Sequence, residues 1–331
     1  MSARSVWGRV GCSVVAGLAA GGCSDGRVLK SPPSPPGPAF AQESRVAASE
    51  LDTFAAAAKN LFIGAGDIAS CDETGDEETA AMLDRVVALS PLVTIFTTGD
   101  NVYPNGAMAE YEHCYAPTWG RHKLRTLPVL GNHDARTERG RPYHEYFGPR
   151  AGTWGESRAA LNVGSWRVIT LNSNCEQVDC SAAGSQIRWL TEQLEAHEGG
   201  AQTPKAACTA VLWHHPRFSS GPHGETRAMQ ETWQVLVEHR VELALTGHDH
   251  GYERFTALDT AGVPRPDGVV QIVVGTGGKE AYPIGPLRTG SLAHFSGKPA
   301  LLALDLGPAG YQGRFITVDG QTLDRFDGPC R

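Results

Sequence analysis

Leu243-Ala244-Leu245-Thr246-Gly247-His248-Asp249-His250 carries a strand and a candidate metal-binding end within eight residues. Leu243 to Thr246 is a short apolar run of strand length. Gly247 closes it. His248 and His250 alternate at the strand end and project their imidazoles to the same side, an arrangement suited to a metal ion. The same pattern recurs upstream. Leu61 to Ala65 ends in Gly66-Asp67, and Leu92 to Thr98 ends in Gly99-Asp100, followed by Asn101-Val102-Tyr103. Leu127 to Leu130 ends in Gly131-Asn132-His133-Asp134, and Thr209 to Trp213 ends in His214-His215-Pro216. In α/β sheets ligands bind at the carboxyl ends of strands, so five such clusters can converge on one site.

Between these strands the apolar period lengthens to that of a helix. Asp76 to Leu89 sets residues 79, 82, 83, 86 and 89 on one face. Ser185 to His197 turns Ile187, Leu190 and Leu194 inward, and Glu225 to His239 reads as another helix. Leu161 to Val163 and Trp166 to Leu171 flank Gly164 as a hairpin. Residues 269–274, 300–306 and 313–318 read as strands with no clear helix between them. The expectation is α/β at first and mostly β at the end.

The 331 residues suffice for one large domain or two ordinary ones, and a hydrophobic share of 41% suits a sizeable core. The formal net charge of -7 argues against a protein that binds nucleic acid by bulk charge.

Singly the clusters differ in weight. A Gly-Asp turn after a strand is common, whereas Gly-His-x-His is a specific signal. Their order is Asp67, then Gly99-Asp100-x-x-Tyr103, then Gly131-Asn132-His133-Asp134, then His214, then Gly247-His248-x-His250. This order resembles the five-block signature of the purple acid phosphatases, within the calcineurin-like metallophosphoesterases. The resemblance covers about residues 60 to 280. Most calcineurin-like relatives have Asp-x-His in the first block. Here Asp67-Ile68-Ala69 lacks the His and Tyr103 is present instead, which is the purple acid phosphatase pattern. Ala69 stands where Gly is usual.

The resemblance implies a four-layer α/β/β/α sandwich with two mixed sheets flanked by helices. It implies a binuclear centre, with one metal on Asp67, Asp100, Tyr103 and His250 and the other on Asp100, Asn132, His214 and His248. A phenolate suits Fe(III), and imidazole with a carboxamide suits Zn(II), Mn(II) or Fe(II). The implied reaction is hydrolysis of a small phosphate monoester by a metal-activated hydroxide. A phosphodiesterase or nucleotide-cleaving enzyme on the same site is the alternative. A non-catalytic phosphate-binding surface protein is disfavoured, because all seven ligand positions are filled. By position, His133 and His223 are expected to contact phosphate or protonate the leaving group. Asp134 is expected to orient an imidazole. His215 stands where small purple acid phosphatases have an aromatic residue, and Gly275-Thr276-Gly277-Gly278 resembles a Gly-rich turn that packs near the site.

The N-terminus reads as an export signal. Arg4 and Arg9 form a positive region, and Val10 to Gly22 is an apolar stretch too short to span a membrane. Ala20-Gly21-Gly22-Cys23 looks like a bacterial lipoprotein box, with Cys23 as the lipid anchor; cleavage after Ala39-Phe40-Ala41 is the rival reading. The expected organisation is a signal peptide over 1–23, a Pro-rich tether over 24–58 containing Ser31-Pro32-Pro33-Ser34-Pro35-Pro36-Gly37-Pro38, and a catalytic domain over 59–331. The protein is then an exported one, membrane-anchored or periplasmic to extracellular. Six Cys lie beyond the signal and allow 15 pairings. Cys175 and Cys180 are close enough to close a small loop. Cys71 and Cys114 both follow strand ends that bear expected ligands, which leaves Cys208 with Cys330.

Overall fold

Two sheets form the centre of the molecule in a computed structural model that describes residues 49–199 and 208–331. The first has six strands, in the order Thr322–Pro329, Gly310–Thr317, Ala300–Gly307, Leu61–Ala65, Thr94–Thr97 and Thr126–Leu127. Leu61–Ala65, Thr94–Thr97 and Thr126–Leu127 run parallel, with Ile63 opposite Ile95. The C-terminal meander adds its strands antiparallel, with Ile63 also opposite Ala303. The second sheet has seven strands, in the order Ser291–Phe295, Tyr252–Leu258, Val269–Val274, Leu243–Thr246, Cys208–Leu212, Trp166–Thr170 and Ala159–Val163. Its central four strands are parallel.

Side-chain alternation shows why there are four layers. Val168, Ala210, Leu212, Leu243, Leu245 and Ile272 join Phe62, Phe96 and Leu302 of the first sheet in one buried cluster. Their neighbours along the same strands, Ile169, Val211 and Ala244, belong to a second cluster with Leu190, Leu194, Trp233 and Leu236. Leu190 and Leu194 lie on the helix Ser185–Gly199, and Trp233 and Leu236 on the helix Gln230–Glu238. A sheet covered on both faces needs strands that are mainly apolar, and the central strands Leu61–Ala65, Cys208–Leu212 and Leu243–Thr246 are buried at every position. On the first sheet, the helix Gly75–Leu89 buries Thr79, Met82, Leu83 and Val86, four of the five positions expected on its inward face, together with Ala80. Leu89, expected on that face, is exposed at the helix end.

Several boundaries differ from expectation. The helix Glu50–Ala57, with Ser49 and Asp52 forming a capping box, buries Leu51 and Ala55 in the core. Those eight residues therefore belong to the folded body, and the expected tether does not reach residue 58. The rest of that tether and the signal segment lie outside the described residues. Of the predicted Leu127 to Leu130 strand only Thr126–Leu127 pairs; Val129 N donates instead to Thr97 Oγ1 (3.0 Å). The helix expected from Glu225 begins as a 3₁₀ turn at Arg227 and becomes α-helical at Gln230, so Glu225 stays in the preceding loop. Disulfides join Cys71 to Cys114, Cys175 to Cys180 and Cys208 to Cys330, the expected pairing. No helix among the described residues is long and apolar enough to cross a membrane.

Candidate metal centre

The five strand ends meet at the same edge of the two sheets. A small parallel pairing of Ala69–Ser70 with Val102–Tyr103 ties the first two loops together. Asp67, Asp100 and His248 each leave their strand with a left-handed backbone, at φ of 59°, 50° and 72°. Non-glycine residues rarely adopt this region, and such strain concentrates where side chains must be aimed. Close approach of backbone to these side chains explains two glycines. A Cβ on Gly131 would lie 2.1 Å from Asp100 Oδ1, and one on Gly99, itself at φ +95°, would lie 2.5 Å from His214 Nδ1.

Tyr103 Oη donates to Asp67 Oδ1 at 2.9 Å and lies 3.2 Å from Asp100 Oδ2 and 3.1 Å from His250 Nε2. Asp67 Oδ2 accepts from the amide of His248 (2.9 Å), and Asp100 Oδ1 accepts from the amide of His133 (2.8 Å). His214 Nδ1 donates to the Thr98 carbonyl at 2.8 Å. That bond aims Nε2 at Asn132 Oδ1 (3.0 Å), His248 Nδ1 (3.2 Å) and Asp100 Oδ2 (3.3 Å). His250 Nδ1 likewise donates to the Glu280 carbonyl (2.7 Å), which turns Nε2 inward. The seven residues expected as ligands are thus linked by contacts of 3.4 Å or less.

The donor set is one that a cation completes. Asp67 and Asp100 are at most 1% exposed, and no lysine or arginine pairs with either among the described residues. Buried carboxylates are costly without a compensating positive charge. In the chain by itself a histidine proton supplies part of it. Burial opposes a charge on His214, but the Asp100 carboxylate and then Asp67 outweigh it and raise its pKa to about 9. Burial also opposes a charge on Asp100, yet His214 and His133 hold its carboxyl below the usual range. Burial, with His214 and His215 alongside, lowers His248 and keeps it neutral. The Tyr103 phenol is pushed well above its ordinary value by burial first and by Asp100 and Asp67 second. Only a strongly positive partner could make it a phenolate at neutral pH.

Three further residues were expected to act here. His223 is exposed, with its ring centroid 4.3 Å from that of His248, and its amide donates to Asp249 Oδ1 (3.0 Å). His133 Nδ1 donates to the Pro104 carbonyl (2.7 Å), and its Nε2 accepts from Arg136 Nη2 (3.3 Å). Both nitrogens of His133 are occupied, so it has no free N–H to give a leaving group. Asp134 differs most from expectation, since it touches no imidazole. Its oxygens accept from Asn101 N, Asn101 Nδ2, Gly131 N and Tyr111 Oη, at 2.6 to 3.1 Å. It joins the Asp100 loop to the Asn132 loop and is fully buried. Burial, then the nearby Asp100, raises its pKa to about 6.

Asp249 and Tyr282 had no clear sequence signal, whereas His215 and the Gly-rich turn stood out in the sequence. Asp249 is 4% exposed and accepts from Ser219 Oγ as well as from His223 N, which fixes the loop 219–223 over the site. The Tyr282 ring stacks on His250 with centroids 3.9 Å apart. A nitrogen of His215 lies within 4.8 Å of donor atoms of His214 and His248, and its Nδ1 meets Ser173 Oγ at 2.8 Å. Burial and the neighbouring His214 push its pKa down to about 3. Gly277 N donates to the Gly66 carbonyl (2.8 Å) and Lys279 N to that of Asp67 (3.0 Å), so the Gly-rich turn packs under the first ligand loop.

Residues 59–252 match the family model of calcineurin-like phosphoesterases, and the chain belongs to that family, whose members are hydrolases of phosphoric esters. Within the family it is purple acid phosphatase-like. It is 25% identical to purple acid phosphatase 17 of Arabidopsis thaliana over 240 residues, 65% of this chain and 70% of that protein. It is 27% identical to purple acid phosphatase 23 of the same plant over 192 residues, 53% of this chain but only 40% of that protein. In fold it is similar to the purple acid phosphatase PPD1 from yellow lupin (Lupinus luteus) seeds. The TM-score is 0.67 at 17% identity, over 81% of this chain and 53% of that one. The fold is the expected α/β sandwich with mixed sheets and helices.

Proposed function

We propose that the chain is an exported phosphatase that hydrolyses small phosphate monoesters at two metal ions. The observation that carries this reading is the meeting of Tyr103 Oη with Asp67, Asp100 and His250 within 3.2 Å, in place of the missing first-block His. Asp67, Asp100, Tyr103 and His250 would hold Fe(III). Asp100, Asn132, His214 and His248 would hold Zn(II), Mn(II) or Fe(II). Bound there, the ions supply Lewis acidity to a phosphoryl oxygen and acidify a water nucleophile.

The protein's own groups prepare that site. Carbonyls of Thr98 and Glu280 present the Nε2 atoms of His214 and His250. Asp249 holds the His223 loop so that His223, exposed beside His248, can give a proton to the leaving oxygen. Export is supported by three disulfides, which persist in oxidising compartments. We assign residues 1–23 as the lipoprotein signal with lipid on Cys23, the following Pro-rich stretch as a tether, and the rest as the catalytic domain. Mass spectrometry that finds a mature start at Gln42 would refute the anchor and leave export intact.

Metal analysis with paired assays on p-nitrophenyl phosphate and bis-p-nitrophenyl phosphate tests the activity. Two ions per chain and faster turnover of the monoester are expected. Full occupancy with hydrolysis of neither ester refutes the reading, and preference for the diester moves it to a phosphodiesterase.

A further inference from the structure

Arg136 sits on the turn that follows the Asn132 block, and that turn is built. Ala135 N donates to the Gly131 carbonyl (3.1 Å), Arg136 N donates to the His133 carbonyl (3.2 Å), and Thr137 Oγ1 donates to the Asn105 carbonyl (2.8 Å). The guanidinium is aimed as well. Its Nη1 donates to the Pro104 carbonyl at 2.9 Å and its Nη2 to His133 Nε2 at 3.3 Å. His133 is itself fixed by its bond to the same carbonyl and by packing on Tyr103, with ring centroids 4.4 Å apart.

Both acceptors of Arg136 are neutral, and it makes no ion pair among the described residues. Other arginines near the site behave differently: Arg217, Arg227 and Arg288 all pair with Glu225. Beside a cluster that holds two buried carboxylates, in a protein of net charge -7, this guanidinium has only neutral partners among the described residues. The ring that steadies it has its Nε2 4.0 Å from Asp100 Oδ2. Two bonds to neutral acceptors fix the direction of the fork and leave its other N–H groups for an anion.

We propose that Arg136 binds a non-bridging oxygen of the phosphoryl group seated at the Asp67, Asp100 and His214 cluster, and so favours dianionic monoesters over monoanionic diesters. This rests on the phosphatase reading above. A guanidinium suits the task because it meets phosphate oxygens with paired, charge-assisted hydrogen bonds. The second charge that it recognises is the one a diester lacks. His133 is then a positioning residue that steadies Arg136.

The test uses the metal-loaded full chain with Arg136→Gln and Arg136→Lys. Arg136→Gln is expected to keep both ions and to lower kcat/KM for p-nitrophenyl phosphate by roughly 10- to 100-fold. The loss on bis-p-nitrophenyl phosphate should be much smaller, and the inhibition constant of inorganic phosphate should rise by the same factor as the monoester loss. Arg136→Lys, which keeps the charge without the fork, should fall between. Equal losses on both esters, or an unchanged phosphate constant, overturn the proposal. If the wild type hydrolyses neither ester although fully metallated, it is the phosphatase reading that has failed. Calorimetric affinity of the two metal-loaded proteins for inorganic phosphate then still decides the role of Arg136: weaker binding by Arg136→Gln supports it, and equal binding overturns it.

Discussion

Replacing Asp134 by Asn tests whether this carboxylate is a structural tie or a participant in the chemistry. Oδ2 accepts from Asn101 N (3.1 Å), Asn101 Nδ2 (2.9 Å) and Gly131 N (2.9 Å), while Oδ1 accepts from Asn101 N (3.0 Å) and Tyr111 Oη (2.6 Å). An amide NH₂ in place of Oδ2 meets two or three N–H donors and can accept from none of them. Turned the other way, it meets Asn101 N–H, although the Tyr111 hydroxyl can rotate to accept from it. In the first pose two buried donors, Asn101 Nδ2 and Gly131 N, lose this acceptor; in the second Asn101 N keeps Oδ2 (3.1 Å), and the cost is the opposed N–H groups and the loss of charge-assisted bonds. The first pose costs about 1–3 kcal/mol for each of two donors, so the second is preferred and Asp134→Asn should destabilise the fold by roughly 1–3 kcal/mol. In a domain of this size that lowers Tm by roughly 2–12 °C at fixed scan rate. The variant should also bind metal more weakly, because Asn101 and Gly131 flank expected ligands. Per metal-loaded molecule, however, kcat should stay within about 10-fold of wild type, less than the loss expected for a proton donor. Thermal melts, metal content and turnover normalised to metal check this together. An unchanged Tm with turnover lost at full metal occupancy would refute the reasoning and return Asp134 to a direct role.

Asp76, 2% exposed, is raised to about 7, chiefly by burial, although Thr118 Oγ1 donates to it at 2.7 Å. A raised carboxyl pKa means that the folded chain holds a proton that the unfolded chain releases near pH 4, so its contribution falls as pH rises from about 4 to 7, by at most about 4 kcal/mol. Asp76→Asn keeps an acceptor for Thr118 and should remove this slope; parallel stability curves for the two proteins between pH 4 and 8 would sink the assignment. Tyr103→Phe should take up metal but give no visible absorption band, where the oxidised wild type is expected to be pink to purple, and should release one proton fewer per Fe(III) bound; a colourless, fully metallated wild type withdraws Fe(III). His223→Ala should retain both ions and lose roughly 10²- to 10⁴-fold in rate, most of all with poor leaving groups; loss of metal from that variant shows that its role is misassigned.

The donor cluster of this protein was legible in its sequence because each donor follows a local signal. Strands buried on both faces must be mainly apolar, so the runs around Leu61–Ala65, Thr94–Thr97 and Leu243–Thr246 stand out, and the Gly that follows each marks where the polar group begins. Edge strands carry no such signal. Thr322–Pro329 alternates exposed residues with intermediate ones and the buried Asp324, and it includes Arg325 and Asp327, so it reads as a loop until its partner Gly310–Thr317 is known. Helix Glu50–Ala57 was hidden for a similar reason, as a short alanine-rich stretch beside a proline-rich one.

Contacts between segments distant in sequence were decided only by the tertiary structure. Asp134 and an orienting carboxylate have the same sequence signature; what separates them is that Tyr111 and Asn101, 23 and 33 residues away, fill its oxygens. Arg136 and Asp249 look like ordinary loop charges until the first meets Pro104 and His133 and the second closes on Ser219 and His223. Residue type and spacing along one strand determine which atoms a segment offers. The order and crossover of strands bring His248 to Asp67 across 181 residues, and a side chain's role depends on the partner it finds there.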